Sequence, residues 1–151
     1  MGATAITGKD TFTINGRVLH DFADGDCGKV VYDEDLTKVK AGKDGNVVFA
    51  LNQGGRVATV TLRIILGSPD DKYLNGLLAT YLASPSDYVL DIGSLFKRVG
   101  DGAGNPSTVV YQLIQGAPKK QPEAKLNTDG DPNQAVGEWT WIFGNVPRSV
   151  I

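Results

Sequence analysis

From Arg56 the chain alternates without interruption. Ala58, Val60, Leu62, Ile64 and Leu66 fall on one side, and Val57, Thr59, Thr61 and Arg63 fall on the other. A period of two predicts a half-buried β-strand. The first side is a core face. The second is too polar for a core and too weakly charged for an ordinary surface. The same period marks the start of the chain, at Phe12, Ile14 and then Val18, with Asn15-Gly16 between them. Both of those residues tolerate positive φ, so the pair predicts a hairpin joining strands over 11–14 and 17–22. A short strand is predicted over 29–32. A polar segment follows over 33–45, in which only Leu36 and Val39 can act as apolar anchors. A strand over 46–51 then carries Val47, Phe49 and Leu51 on one face.

After Gly67 the period changes. Ser68 is a natural N-cap, and Pro69 suits the first helical position. Asp70 and Asp71 sit where the helix dipole favours negative charge. Asp71, three residues after Ser68, makes a weak capping box. Leu74, Leu77, Leu78, Tyr81 and Leu82 then form one apolar stripe, predicting an amphipathic helix over 69–83 that ends before Pro85. Strands are predicted over 88–92, 107–115 and 134–146. The last places Trp139, Trp141 and Phe143 on one face, and residues 116–134 read as a long polar loop. Strands, one helix and more strands predict a mainly β, antiparallel sandwich or barrel with one flanking helix. No internal repeat or linker interrupts it, so residues 1–151 read as one domain.

Composition narrows the function more than the fold. The 19 glycines suit a turn-rich β fold, and a formal net charge of −2 argues against a general nucleic-acid binder. A single cysteine, Cys27, leaves no intramolecular disulfide. The opening residues lack a basic start and an apolar run, so no secretory signal is expected. Met1-Gly2 followed by Ile6 does not match a myristoylation pattern. No stretch is apolar for long enough to span a bilayer, and no membrane partner is expected.

Candidate chemistry is sparse. His20 is the only histidine, with Asp21 and Asp24 nearby, but no nucleophile elbow accompanies it. Cys27 would need a base beside it to act as a nucleophile. Residues 100–104, GDGAG, open no helix that could hold a pyrophosphate. Asn127, Asp129, Asp131 and Glu138 have the spacing of calcium-loop ligands, yet Pro132 stands where the loop requires glycine. The clusters Lys119-Lys120 and Lys38/Lys40/Lys43 lack interleaved aromatics and read as solvated charge. No catalytic residue, cofactor site or metal site is predicted. The pattern favours a structural or binding protein.

Three phrases together point to a family. FADGDCGKVVYDEDLTKVKAGKDGNVVFALN, ATVTLRIILGSPDDKYLNGLL and NTDGDPNQAVGEWTWIFGN resemble the tail tube proteins of contractile-tailed bacteriophages. The resemblance runs from about Phe22 to Asn145 and lies in the order of elements: a hairpin, a strand, a capped helix and a late W-T-W strand. It implies a sandwich or barrel with a flanking helix, similar to the tubes of type VI secretion and contractile bacteriocins. It also implies six copies per ring, rings stacked into a hollow virion tube, and a sheath, tape measure protein and baseplate as partners. DNA would pass through the lumen without sequence-specific binding.

On this reading the polar side of the long strand finds its place. Val57, Thr59, Thr61 and Arg63 would face the lumen, with Arg63 as a departure: a cation there either pairs with an acidic neighbour or marks where the strand end leaves the lumen. The polar segment would be a ring-stacking loop, with Leu36 and Val39 as anchors and Asp33, Glu34, Asp35, Lys38, Lys40 and Lys43 setting register. The tube of a bacteriocin or type VI-like machine is a second reading. A small ligand-binding sandwich is a third.

Overall fold

A computed structural model describes residues 4–6 and 10–151. Most of the opening segment read above for targeting signals therefore lies outside the described residues. The strands are β1 (Ala5–Ile6), β2 (Thr11–Ile14), β3 (Arg17–Leu19), β4 (Gly28–Tyr32), β5 (Thr37–Ala41), β6 (Val47–Leu51) and β7 (Ala58–Ile65). The helix α1 (Pro69–Ala83) follows, then β8 (Asp91–Gly100), β9 (Pro106–Lys120), β10 (Val136–Asn145) and β11 (Arg148–Val150). The architecture is mainly β, with antiparallel sheets and one α-helix, as the sequence predicts. It is not a closed barrel.

The main sheet runs β3-β2-β8-β9-β10-β7-β4, with β1 added on β8 and β11 on β9. It curls around a core built from the predicted stripes. Ala58, Val60, Leu62 and Ile64 are buried on β7, and Trp139, Trp141 and Phe143 on β10. Leu74 and Leu78 enter the same core from α1, while Leu77 packs against its edge. Tyr81 is half-buried and meets Tyr88 edge-on at 5.2 Å. Leu82 departs from the predicted stripe. It is 57% exposed on the last turn of α1, where it borders a hollow with Pro118, Lys119, Lys120 and Gln121. Leu66 likewise lies beyond the end of β7 and is 40% exposed.

Local chemistry explains the boundaries. Asn15 (φ 50) and Gly16 (φ 81) make the predicted hairpin turn. Ser68 Oγ accepts the Asp71 amide at 3.2 Å, and Asp71 carries on to accept the Trp139 indole N–H at 2.9 Å. The helix start is thereby tied to the β10 core. The strand predicted over 17–22 stops at Leu19, and Phe22 retains only a single bridge to Ile64. The strand predicted over 88–92 instead begins at Asp91 and continues to Gly100. That predicted over 107–115 continues to Lys120 through a bulge in which Gln115 takes φ 61. The adjoining Gly116 sits under the Phe143 ring, where a Cβ would collide with the aromatic carbons.

Two buried carboxylates lock the layers together. Asp70 accepts the amides of His20 at 2.7 Å and Asp21 at 2.9 Å, and the Arg17 guanidinium at 3.0 Å. Burial pushes its carboxyl up, but those donors outweigh burial and hold it below its ordinary value. Asp91 accepts Trp141 Nε1 at 2.6 Å, Tyr88 Oη at 2.6 Å and Asn15 Nδ2 at 2.8 Å. Burial, and then the hydrogen bond to Asp91, push the Tyr88 phenol far above its usual range.

Candidate functional site: the assembly surfaces

The segment read as a loop over 33–45 is half of a projecting ribbon. β5 pairs with β6 in a separate two-stranded sheet, with Thr37 opposite Leu51, Val39 opposite Phe49 and Ala41 opposite Val47. The alternation of Thr37, Val39 and Ala41 against Lys38 and Lys40 is the strand signal that the charges obscured. The ribbon is pinned at its root, where the Asn52 amide donates to the Leu36 carbonyl at 2.8 Å. Asn52 Nδ2 donates to the Asp35 carbonyl, also at 2.8 Å. Lys43 lies in the turn at its tip, closed by Gly42 N–H to Asn46 C=O. Every residue of β5 and β6 is exposed, and Phe49 is 71% exposed. A two-stranded hairpin is marginal by itself in water, and this one shows a row of bare apolar side chains.

The predicted stacking residues thus divide. Lys38, Val39, Lys40 and Lys43 stand on the ribbon, whereas Asp33, Glu34, Asp35 and Leu36 form its root. Asp33 is engaged with the sheet: Thr59 Oγ1 donates to its carboxylate at 2.7 Å. The apolar strand β6 carries more bare hydrophobic surface than Leu36 and Val39, and sequence reasoning left it out of the assembly surface. Its Val47–Phe49–Leu51 alternation was the available signal.

The second surface is the outer face of β4-β7-β10. Register aligns Lys29, Thr61 and Thr140 across the three strands, then Val31, Thr59 and Ile142. Thr59, Thr61 and Arg63 are half-buried on β7, opposite its buried face. Val57 is also half-buried, but it caps the helical turn before β7 and is not part of the strand. Lys119 Nζ donates to Thr59 Oγ1 at 3.2 Å, completing a Lys119–Thr59–Asp33 chain. Arg63 stands opposite Glu138, and its guanidinium donates to the Asp24 carbonyl at 2.7 Å. Cations outnumber carboxylates on this face, with Lys29, Arg63, Lys119 and Lys120 against Asp33 and Glu138, and Thr59, Thr61 and Thr140 lie in its middle beside Val31 and Ile142.

The residues weighed for chemistry do not assemble. His20 is exposed on the rim of the Asp70 site, 4.0 Å from its carboxylate. Cys27 lines an apolar crevice with Phe12, Phe22 and Leu95. Asp101 folds back on Ala103 and Asn105 to close its own turn. Asn127 and Asp131 accept the amides of Asp129 and Asn133 as turn caps. Glu138 is held on β10 and stands opposite Arg63. Among the described residues, no group of His, Cys, Asp or Glu is placed to hold a metal ion.

The features the surface does present are a naked apolar ribbon and a polar sheet face. The family model of the bacteriophage PhiTE tail tube protein matches residues 14–149. The chain belongs to this tail tube family. Tail tube proteins are structural components of the virion tail and not enzymes. No curated protein matches the sequence significantly. Solved structures share the fold at low identity. The tube family member superposes on a chain of the sheath–tube complex of an extracellular contractile injection system, PVC, in its extended state. The TM-score is 0.63 at 13% identity, covering 97% of this chain and 92% of that one. The sheath/tube terminator of the same system gives 0.57 at 14% identity, covering 94% of each chain. A chain of the anti-feeding prophage baseplate, 6-fold symmetrised, gives 0.50 at 9% identity, covering 100% and 97%.

Proposed function

We propose that this tail tube protein forms six-membered rings that stack into the inner tube of a contractile tail, through which DNA is ejected. The naked β5–β6 ribbon carries this reading. A row of apolar side chains on an otherwise folded chain needs a partner surface, and a stacked copy supplies one. In this reading the ribbon projects from its ring and docks on the adjacent ring. Val39, Val47, Phe49 and Leu51 supply most of the affinity, and Lys38, Lys40 and Lys43 set register. The face bearing Thr59 and Thr61 lines the lumen, where short hydroxylated side chains let a duplex slide and the hydrogen bonds that hold Arg63 and Lys119 within the chain limit their grip on phosphate. The fold shared with chains from sheath–tube and 6-fold baseplate assemblies supports the ring order and a surrounding sheath. A tape measure protein within the lumen and synthesis in the host cytoplasm complete the proposal.

A contractile injection device is the second reading, favoured by the structural likeness to the PVC tube complex. Both readings predict the same assembly. Purified protein should sediment as a six-fold multiple of its 16.0 kDa chain, or as longer species, and should show rings or hollow rods by electron microscopy. A strictly monomeric chain at high concentration would contradict both.

A further inference from the structure

The two ends of β7 carry different surfaces. Tyr32 and Phe143 pair with Ala58 at one end, and the Val146 amide donates to the Arg56 carbonyl beside them. There a groove of about 610 Å³ opens between the ribbon root and β11. Tyr32, Leu36, Val146 and Pro147 give it apolar walls, and Arg56 and Arg148 stand at its edges with Glu34. Tyr32 is fixed there by donating its hydroxyl to the Val146 carbonyl at 2.8 Å, and Arg148 by donating to Tyr111 Oη at 3.1 Å. At the other end, Val136 pairs with Ile65, and the loop 121–131 lies next to it. Seven strand steps separate the two ends, about 24 Å at the usual rise.

That loop carries an unusual residue at an unusual exposure. Leu126 is 101% exposed, so it touches nothing else in its own chain. Its neighbours Glu123 and Lys125 turn toward Arg63 and Glu138 across a polar hollow, leaving Leu126 outward. Asp129 and Asp131 follow it around the Gly130 turn (φ 74). The loop is held in shape by the Asn127 amide on Gln134 Oε1 at 3.1 Å. An apolar tip followed by two carboxylates complements an apolar groove edged by two guanidinium groups.

We infer that loop 121–131 of one copy seats Leu126 in the groove formed by Tyr32, Leu36, Val146 and Pro147 of the next copy, head to tail. The inference rests on the tube reading and gives it a second stacking contact, made at the ribbon root and not by the strands β5 and β6. Because donor and acceptor are different surfaces at opposite ends of one chain, the contact repeats without closing on a pair and propagates along the stack. Asp129 and Asp131 then face Arg56 and Arg148 across the joint.

Engineered cysteines test the contact in full-length protein. In a Cys27→Ser background, Leu36→Cys and Leu126→Cys are made singly and together, assembled, and treated with a short bismaleimide. The double variant should give a ladder of covalent multimers. Each single variant should give dimers at most, since a ladder needs two different reactive ends per chain. Rods that form but yield no ladder would overturn the inference and leave the groove to another occupant, such as the ribbon. Leu126→Asp is the second arm. It should leave the unfolding midpoint unchanged, because the side chain contacts nothing within the monomer, and should lower the pelletable rod fraction at least tenfold. Unchanged rod yield would overturn the inference while leaving the tube reading intact. A Cys27→Ser or wild-type chain that stays monomeric would overturn the tube reading, and the inference with it.

Discussion

Leu78 and Asp70 both stand on α1 and stabilise the fold by different physics. Leu78 is 7% exposed in the core. Leu78→Ala should cost about 2–5 kcal/mol, read from the chemical denaturation midpoint. An unchanged midpoint would mean that the helix stripe does not pack as described. Leu82→Ala, at an exposed site, should cost far less. Asp70 acts through its three donors. Its folded-state pKa lies below the unfolded value, so its contribution is fully present above about 3.9 and is lost as pH falls through the folded value. The wild type should therefore lose stability on acidification from pH 5 toward 2. Asp70→Asn should be less stable at neutral pH by about 2–3 kcal/mol, from weakened hydrogen bonds to a charged group. It should also show a shallower fall on acidification, measured by thermal melts across that range. Parallel melting curves for the two proteins would contradict the role given to the carboxylate.

At the scale of elements, the stacking role proposed for the ribbon predicts that folding and assembly can be separated. Its ends meet at Leu36 and Asn52, 2.8 Å apart between carbonyl and amide. Residues 37–51 can therefore be replaced by a short Gly-Ser turn without moving β4 or β7. The shortened chain should keep the wild-type unfolding midpoint and fail to form long rods by electron microscopy. Normal rods after that replacement would refute a stacking role. This element also shows what the sequence reveals and what it hides. The helix was legible because Ser68, Pro69 and the leucine spacing all point the same way. The long strand and the W-T-W strand were legible because strict alternation with one buried face has a single reading. The ribbon was read only in part. A strand exposed on both faces has no burial to polarise its pattern, so the lysines of β5 dominated its weak period of two. The far ends of β8 and β9 were missed for a related reason. Their glycines, proline and bulge interrupt the alternation, and their pairing is fixed by neighbours distant in sequence. The groove and Leu126 acquire meaning only from the placement of the ends of β7, which no local pattern encodes.

On the scale of the whole molecule, the proposed tube assigns a place to each surface: the ribbon between rings, the outer face of β4-β7-β10 in the lumen and the two ends of β7 along the axis. Thr61→Lys should leave the monomer fold intact, since Thr61 lies on the half-buried outer face. It would add a ring of cations at each level of the lumen. Tubes of that variant should retain duplex DNA at low salt and release it as salt rises, following counterion release. DNA recovery equal to wild type at all salt concentrations would place Thr61 outside the lumen. The most direct measurement of the central claim is a cryo-electron microscopy reconstruction of tubes assembled from the purified chain, at a resolution that shows side chains. The account predicts a six-fold hollow tube with Thr59 and Thr61 at the inner wall and Phe49 buried against the adjacent ring. A tube with those threonines packed between subunits, or with Phe49 left in solvent, would contradict it.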